Sequence, residues 1–242
     1  MALDYQPIFI LASGMLLQER KLSTVTNNLA NADTPSFKKD FLEVASWYTD
    51  MGAKEPDTSP ENPTNNFVYP MVSGVFTDLS QGPLRETGNS LDLAIDGEGF
   101  FAVRTPEGVL FTRKGNFRLD SEGYLVTEEG YRVLDSQNRD IRIEGNRIEF
   151  DPRGNLYIDG ERSVSLGIWS LPDAQKVGED FFRGTPQRAQ NFRLRQGFLE
   201  FSNVNPILEM VRLIETSRAH ETYARLIQAV DEIQGRLNSI TR

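Results

Sequence analysis

The stretch NNLANADTPSFKK, Asn27–Lys39, interrupts an apolar, helix-periodic segment, and its reading decides how the chain on either side folds. Pro35 biases Thr34 away from helical backbone, so a helix arriving from the N-terminal side must stop before it. Asn27, Asn28 and Asn31 are the residue type that closes turns and caps with side-chain hydrogen bonds. Phe37 offers an anchor for the corner that follows, and Lys38 and Lys39 offer charges for acidic neighbours.

On the N-terminal side, Ile8, Leu11, Met15, Leu22, Val25 and Leu29 recur at intervals of three and four, with Gln18 the polar interruption. That spacing predicts a helix carrying a heptad seam, and Pro7 suits its first turn. The other end of the chain mirrors it. Asn205 reads as an N-cap with Pro206 at the first helical position. Ile207, Met210, Val211 and Ile214 form one apolar face; Tyr223, Leu226, Val230, Ile233, Leu237 and Ile240 continue on a shifted one. Glu221/Arg225 and Glu232/Arg236 are i,i+4 pairs in the favourable order. Neither narrow seam can be buried alone in water, so the two helices are expected to pair.

Between them the chain reads as strands. Four tetrapeptides end on glycine: TPEG (Thr105–Gly108), DSEG (Asp120–Gly123), TEEG (Thr127–Gly130) and DPRG (Asp151–Gly154). Pro at the second place and Asp at the first suit type I turns. Short β-prone runs lie around them at 100–103, 109–112, 117–119, 124–126 and 141–143, and 157–171 continues the character, so antiparallel hairpins are expected. Residues 50–70 hold four prolines amid Asn, Asp, Thr and Ser, the composition of an extended connector. The fold class is therefore α+β: long N- and C-terminal helices paired in a coiled-coil-like layer, with a central antiparallel β-rich domain. The expected divisions are 1–41, 42–70, 71–201 and 202–242.

Composition narrows the function. With 26 basic and 35 acidic residues the net charge is −9, which opposes binding to nucleic acid. The whole deficit belongs to residues 42–202, since 1–41 and 203–242 are each charge-balanced. Balanced ends suit packing against like copies; an acidic middle suits a solvated exterior. There are no cysteines, which removes disulfides, thiol nucleophiles and thiolate metal sites. The apolar run from Ile8 to Leu17 imitates a signal peptide, but no basic residue precedes it and Asp4 stands where positive charge belongs. It is also too short to span a bilayer, and is expected to be part of the mature fold.

Catalytic readings fare poorly. Gly97–Ala102, GEGFFA, matches a dinucleotide fingerprint formally, but a strand and a turn follow where that motif needs a helix. Asp92 and Asp96 supply a carboxylate pair without evidence of a cleft. His220, the single histidine, lies mid-helix and no G-x-S-x-G elbow accompanies it. No cluster has metal-ligand spacing. The expectation is a non-enzyme without cofactor, metal or small-molecule substrate; a secreted β-rich adhesion module on a helical stalk is the alternative.

Four stretches together resemble the flagellar rod and hook (axial) proteins. Asn27, Asn28, Leu29, Ala30, Asn31, Thr34, Phe37 and Lys38 match the family's N-terminal signature, while Ser36 replaces its usual glycine. SNVNP (Ser202–Pro206), with Ser202, Asn203 and Val204, resembles the lead-in to its C-terminal helix. LDLAIDGEGFFAV (91–103) and FTRKGNFRLDSEGYLV (111–126) resemble its β region. The resemblance implies a building block of the flagellar axis, with other copies and other rod proteins as partners, exported by the flagellar type III apparatus without a cleaved signal. It implies terminal helices in an inner tube layer and the β domain outside. The modest length and single β region fit a rod protein over the larger hook protein, and NADTPSF with the proline of SNVNP looks more like a proximal than a distal one.

Overall fold

The computed structural model describes residues 6–50, 66–178 and 180–240. It divides into two compact units, each assembled from separated parts of the chain. The first contains helix α1 (Gln6–Ala30), strand β1 (Asp40–Asp50), most of strand β2 (Asn66–Thr77) and helix α2 (Pro206–Ile240).

The helix boundaries follow local chemistry. α2 starts at Pro206, and the Asn205 Oδ1 accepts hydrogen bonds from the Ile207 and Leu208 N–H groups at 3.1 and 3.3 Å. That cap supplies an acceptor to donors the first turn leaves orphaned. Its 35 residues span about 52 Å at 1.5 Å per residue. α1 stops at Ala30, ahead of Pro35. The helices pack closely on each other at Gly14, where a Cβ would stand 2.5 Å from Cε1 of Tyr223. Leu17 is the buried leucine of α1.

The seam itself is only half closed. Ile8, Leu11, Met15, Leu22, Val25 and Leu29 on α1 and Tyr223 and Val230 on α2 are half-buried, whereas Leu226 and Ile233 stay exposed. One helix covers only one side of its partner, so a face that drifts around the axis leaves part of itself uncovered. The side chains of Leu237 and Ile240 lie outside the described residues.

The expected connector over 42–70 takes a different form at its ends. β1 and β2 pair as a two-stranded sheet, so 42–50 and 66–70 belong to strands. Residues 51–65 lie outside the described part.

The second unit contains residues 31–39 and 77–204. Short antiparallel pairs join β3 (Leu84–Glu86) to β18 (Phe198–Glu200) and β4 (Leu93–Gly97) to β17 (Phe192–Gln196). The largest sheet runs β14 (Gln175–Val177), β15 (Phe181–Arg183), β6 (Gly108–Thr112), β5 (Phe100–Thr105), β9 (Arg132–Val133), β8 (Leu125–Val126), β7 (Arg118–Leu119). β13 (Ile168–Ser170) branches from β5 and carries β16 (Gln187–Arg188). β10 (Ile148–Phe150), β11 (Asn155–Ile158) and β12 (Glu161–Ser165) form a separate three-stranded sheet. The run 141–143, expected to be a strand, forms an isolated bridge between Arg142 and Tyr124, flanked by backbone hydrogen bonds of Ile141 with Leu125 and of Ile143 with Gly123.

β5 explains why FFAV shows no polar alternation. Phe101 and Val103 enter the larger core with Leu93, Ile95 and Phe117, and the rings of Phe101 and Phe117 meet edge-on at 5.1 Å. Phe100 and Ala102 face the opposite way into a second cluster with Phe111, Leu134 and Phe182. Both faces of the strand are buried, so both must be apolar.

The turns repeat one design. The N–H groups of Gly123, Gly130 and Gly154 return to the carbonyls of Asp120, Thr127 and Asp151 at 3.0–3.1 Å. Each of these glycines has positive φ, as a type I turn with a following bulge requires. A further copy at Asp135–Asn138 carries asparagine, φ 60°, in the glycine place. In three of the copies the leading aspartate accepts two backbone N–H groups through one oxygen, as Asp151 does from Arg153 and Asn155 at 2.9 and 2.8 Å.

Candidate functional site

The segment that decides the fold ends in a heavily hydrogen-bonded corner of the second unit. Asn28, still in the first unit, closes the helix end by exchanging two hydrogen bonds with the Asp40 backbone, at 2.8 and 3.0 Å. Asn31 starts the turn, accepting the Thr34 N–H at 3.2 Å on its carbonyl and the Thr34 hydroxyl at 3.1 Å on its side chain. Asn27 is exposed. After Pro35 the chain turns inward: Ser36, Phe37, Lys38 and Lys39 are all buried.

Ser36 has φ 60°, the left-handed region that its usual family counterpart, glycine, occupies freely. Two bonds hold it there. Its N–H donates to the Glu200 carbonyl and its hydroxyl to the Arg113 carbonyl, both at 2.8 Å. Relief of the left-handed cost, about 1–2 kcal/mol, and loss of one buried hydrogen bond, about 0.5–1.5 kcal/mol, nearly cancel. Ser36→Gly is therefore expected to shift the urea midpoint little, whereas Ser36→Val, β-branched and without the hydroxyl's bond, is expected to lower it clearly.

Beneath Ser36 lies a charged triad. Lys38 Nζ donates to Glu200 Oε1 and, at 2.7 Å, to the Ser80 carbonyl. Arg113 Nε donates to Glu200 Oε2 at 2.9 Å, and its Nη1 donates to the Gly97 and Gly99 carbonyls at 2.9 and 2.6 Å. The Gly82 N–H adds a further bond to Glu200 Oε1 at 2.9 Å. Lys38 and Glu200 are each only 1 % exposed, so these charges have little but one another and the backbone for solvation. Burial, the largest influence, holds the Lys38 pKa below its ordinary value of 10.5; Glu200 opposes that shift and Arg113 adds to it.

The C-terminal lead-in completes the joint. Asn203 accepts the Lys39 N–H at 2.9 Å and donates to the Asp78 carbonyl at 2.9 Å. Ser202 and Val204 are buried, and the Ser202 hydroxyl accepts the Val204 N–H at 3.2 Å. Lys176 covers the corner from outside, its Nζ 4.2 Å from the Phe37 ring centroid and 3.1 Å from the Lys38 carbonyl. One knot thus gathers 31–39, 78–82, 95–99, Arg113 and 200–204. Sequence reasoning placed Phe37, Lys38, Ser202, Asn203 and Val204 among the site residues but missed Glu200, Arg113 and Gly82. The signal available for Glu200 was an acidic residue inside an otherwise apolar run, FLEF.

The groups considered for catalysis serve local structure. Asp92 accepts the Thr87 hydroxyl at 2.7 Å and the Asn89 amide at 3.0 Å. Asp96 pairs with Arg195 at 3.2 Å. Gly97 and Gly99 lead into β5, a strand, and both have positive φ. His220 is half-buried within α2. No helix among the described residues is long and apolar enough to cross a membrane.

Three family models match the chain: "Flagella basal body rod protein" over residues 8–38, "Flagellar hook protein FlgE/F/G D1 domain" over 94–162, and "Flagellar basal body rod FlgEFG protein C-terminal" over 195–240. The two halves of the corner fall in the first and last of these. Among similar proteins, the flagellar basal-body rod protein FlgF of Caulobacter vibrioides is 35% identical, covering 93% of this chain and 94% of its own length. The FlgF of Mesorhizobium japonicum is 32% identical, covering 91% of each. The rod protein FlgG of Borreliella burgdorferi is 28% identical, covering 96% and 97%.

Proposed function

The chain belongs to the flagellar basal-body rod protein family, and from that membership we propose that it is a structural subunit of the rod, of the FlgF type, assembling helically into the hollow axial shaft. Its place is the flagellar basal body, and its partners are further copies and other rod proteins. In this reading the terminal helices form the inner layer around the export channel, through which the type III apparatus delivers the chain without a cleaved signal. The β-rich unit faces outward. Torque passes as many parallel packing contacts between subunits.

The observation that carries the reading is the uncovered apolar row at the start of α2. Ile207, Val211 and Ile214 lie at i, i+4 and i+7 and are 73 %, 48 % and 52 % exposed, with Leu208 and Met210 beside them. On α1, Phe9 and Leu16 are exposed as well. Apolar rows of this kind are what neighbouring subunits bury, and head-to-tail contacts that do not close into a ring build a filament.

The test replaces Ile207 and Ile214 with aspartate together. The isolated chain is expected to keep its melting temperature, because both positions are already in water. Complementation of a deletion strain is expected to fail, with basal bodies lacking a complete rod. Normal swimming by the double variant would reject this face as the assembly surface.

A further inference from the structure

A cleft of about 320 Å³ in the second unit has no part in the contacts described so far. Its floor is apolar: Leu166, Ile168 and Ala189 are buried there, with half-buried Phe192 beside them. Its rim is basic. Arg153 reaches it from the turn after β10, Arg162 from β12 and Arg188 from β16, and no aspartate or glutamate lines it. Many guanidinium groups of this unit sit on carboxylates, as those of Arg104 and Arg132 do on Asp140. Among the described residues the three at the cleft form no ion pair, and Arg162 donates instead to neutral oxygens, Asn155 Oδ1 at 2.7 Å and the Ser165 hydroxyl at 3.4 Å.

The side-chain hydrogen-bonding capacity left over in the cleft belongs to donors, apart from the Ser136 hydroxyl, which can act either way. The Asn155 carbonyl oxygen is spent on Arg162 and on the Ser165 hydroxyl, both at 2.7 Å, and its amide nitrogen donates to Asp151 at 2.7 Å. Asp151, which heads the turn carrying Arg153, spends its oxygens on that amide and on the Arg153 and Asn155 N–H groups. Trp169 also lines the cleft, paired with Arg188 across β13 and β16. Its indole Nε1 is a buried donor without a hydrogen-bond partner among the described residues. A buried donor in that state marks an interaction still to be made, with a ligand or a water.

Unpaired positive charge, donors without acceptors and an apolar floor together define the complementary molecule. It is an anion rich in acceptor oxygens at one end and apolar at the other. Guanidinium forks match phosphate and carboxylate oxygens bidentately, and the volume falls at the lower end of small-molecule sites, about 300–1,000 Å³. We propose that the cleft binds a small organic dianion of the phosphate monoester type, its head held by Arg153, Arg162 and Arg188 and its apolar body lying over Ile168 and Phe192. A double negative charge suits the head because three cations face it without a counter-ion. The assembly reading is not needed for this: the cleft residues all belong to the second unit, whereas the Ile207–Ile214 row belongs to the first.

The test is calorimetric titration of the isolated full chain with phenyl phosphate. Saturable binding is expected. Inorganic phosphate should bind more weakly, because it lacks the body, and phenol undetectably, because it lacks the charge. The side chains of Arg153 and Arg188 make no hydrogen bond or ion pair among the described residues. Arg153→Ala with Arg188→Ala is therefore expected to keep the melting temperature while weakening phenyl phosphate by about tenfold or more, as the loss of charge-assisted hydrogen bonds requires. Isotope labelling of the tryptophan nitrogens gives an indole signal from each of Trp47 and Trp169, assigned through Trp169→Phe. The Trp169 signal is expected to move on titration and the Trp47 signal to stay. The proposal is overturned by no saturable binding, by phenol or inorganic phosphate binding as tightly as phenyl phosphate, by indifference to the double substitution, or by a Trp169 signal that does not move.

Discussion

Replacing Glu200 with alanine is expected to destabilise the β-rich unit by about 3–5 kcal/mol, because the change strands Lys38 and Arg113 as buried cations without their shared carboxylate. The Gly82 N–H loses its acceptor at the same time. Asp78, a weaker influence on Lys38 than Glu200, is the carboxylate that remains near it; otherwise Lys38 keeps the Ser80 carbonyl and Arg113 keeps Gly97 and Gly99, which are neutral. At about 2–4 °C per kcal/mol for a chain of this size, the melting temperature falls by roughly 6–20 °C. Urea unfolding monitored through the β-rich unit measures it directly, as a lower midpoint at unchanged slope. Glu200→Gln, which keeps the shape and loses the charge, is expected to fall between. A loss under about 1 kcal/mol for the alanine variant, the range of a solvated surface pair, would show that the triad is hydrated rather than buried.

Phe37→Ala is the second large effect, at about 3–5 kcal/mol, the range for removing a fully buried ring. The ring is 1 % exposed, and its backbone is tied on both sides, its N–H to Thr34 and its carbonyl to the Asn203 N–H. A site held so firmly cannot collapse into the space vacated, so the cavity cost adds to the lost transfer energy. Lys176 over the ring face loses its cation–π contact as well. Phe37→Leu, which refills most of the volume, is expected to recover over half of the loss. Equal melting of the alanine variant and the parent chain would mean the ring is not the anchor.

What the sequence made legible was local. The Asn205–Pro206 start of α2, the stop of α1 before Pro35 and the glycine-ended turns each depend on residues within a few places of one another. The turn at Asp135–Asn138 does not stand out in the sequence because asparagine, rather than glycine, occupies the left-handed position there. The run 141–143 behaves much as a strand, with Ile141 and Ile143 filling the core and hydrogen-bonded through their backbones to Leu125 and Gly123, but Arg142 alone forms a bridge, so the pairing is too short to count as one. The triad was out of reach for a different reason. Lys38 and Glu200 are 162 residues apart and Arg113 and Glu200 are 87, and no periodicity links such positions.

Ser36 is an intermediate case: the sequence marks it only as a serine where the family has glycine and leaves its conformation open, and the structure places it at φ 60°, in the left-handed region. The hydroxyl's bond to the Arg113 carbonyl, which offsets the strain, could not have been read from the chain. The terminal seams were legible as periodicity but not as burial: Leu226 and Ile233 fit the pattern and remain exposed. Family membership selects the structural reading over the adhesion-module alternative, and the uncovered rows on α1 and α2 then become the places where neighbours belong.

The most direct test of the rod reading is a density map of basal bodies isolated from cells that make this chain. The account predicts that the chain can be traced within the rod, with α1 and α2 in the layer around the central channel, the Ile207–Ile214 row buried against neighbouring subunits, and the β-rich unit outside. A rod complete without this chain, or one in which that helical row faces solvent, would contradict it.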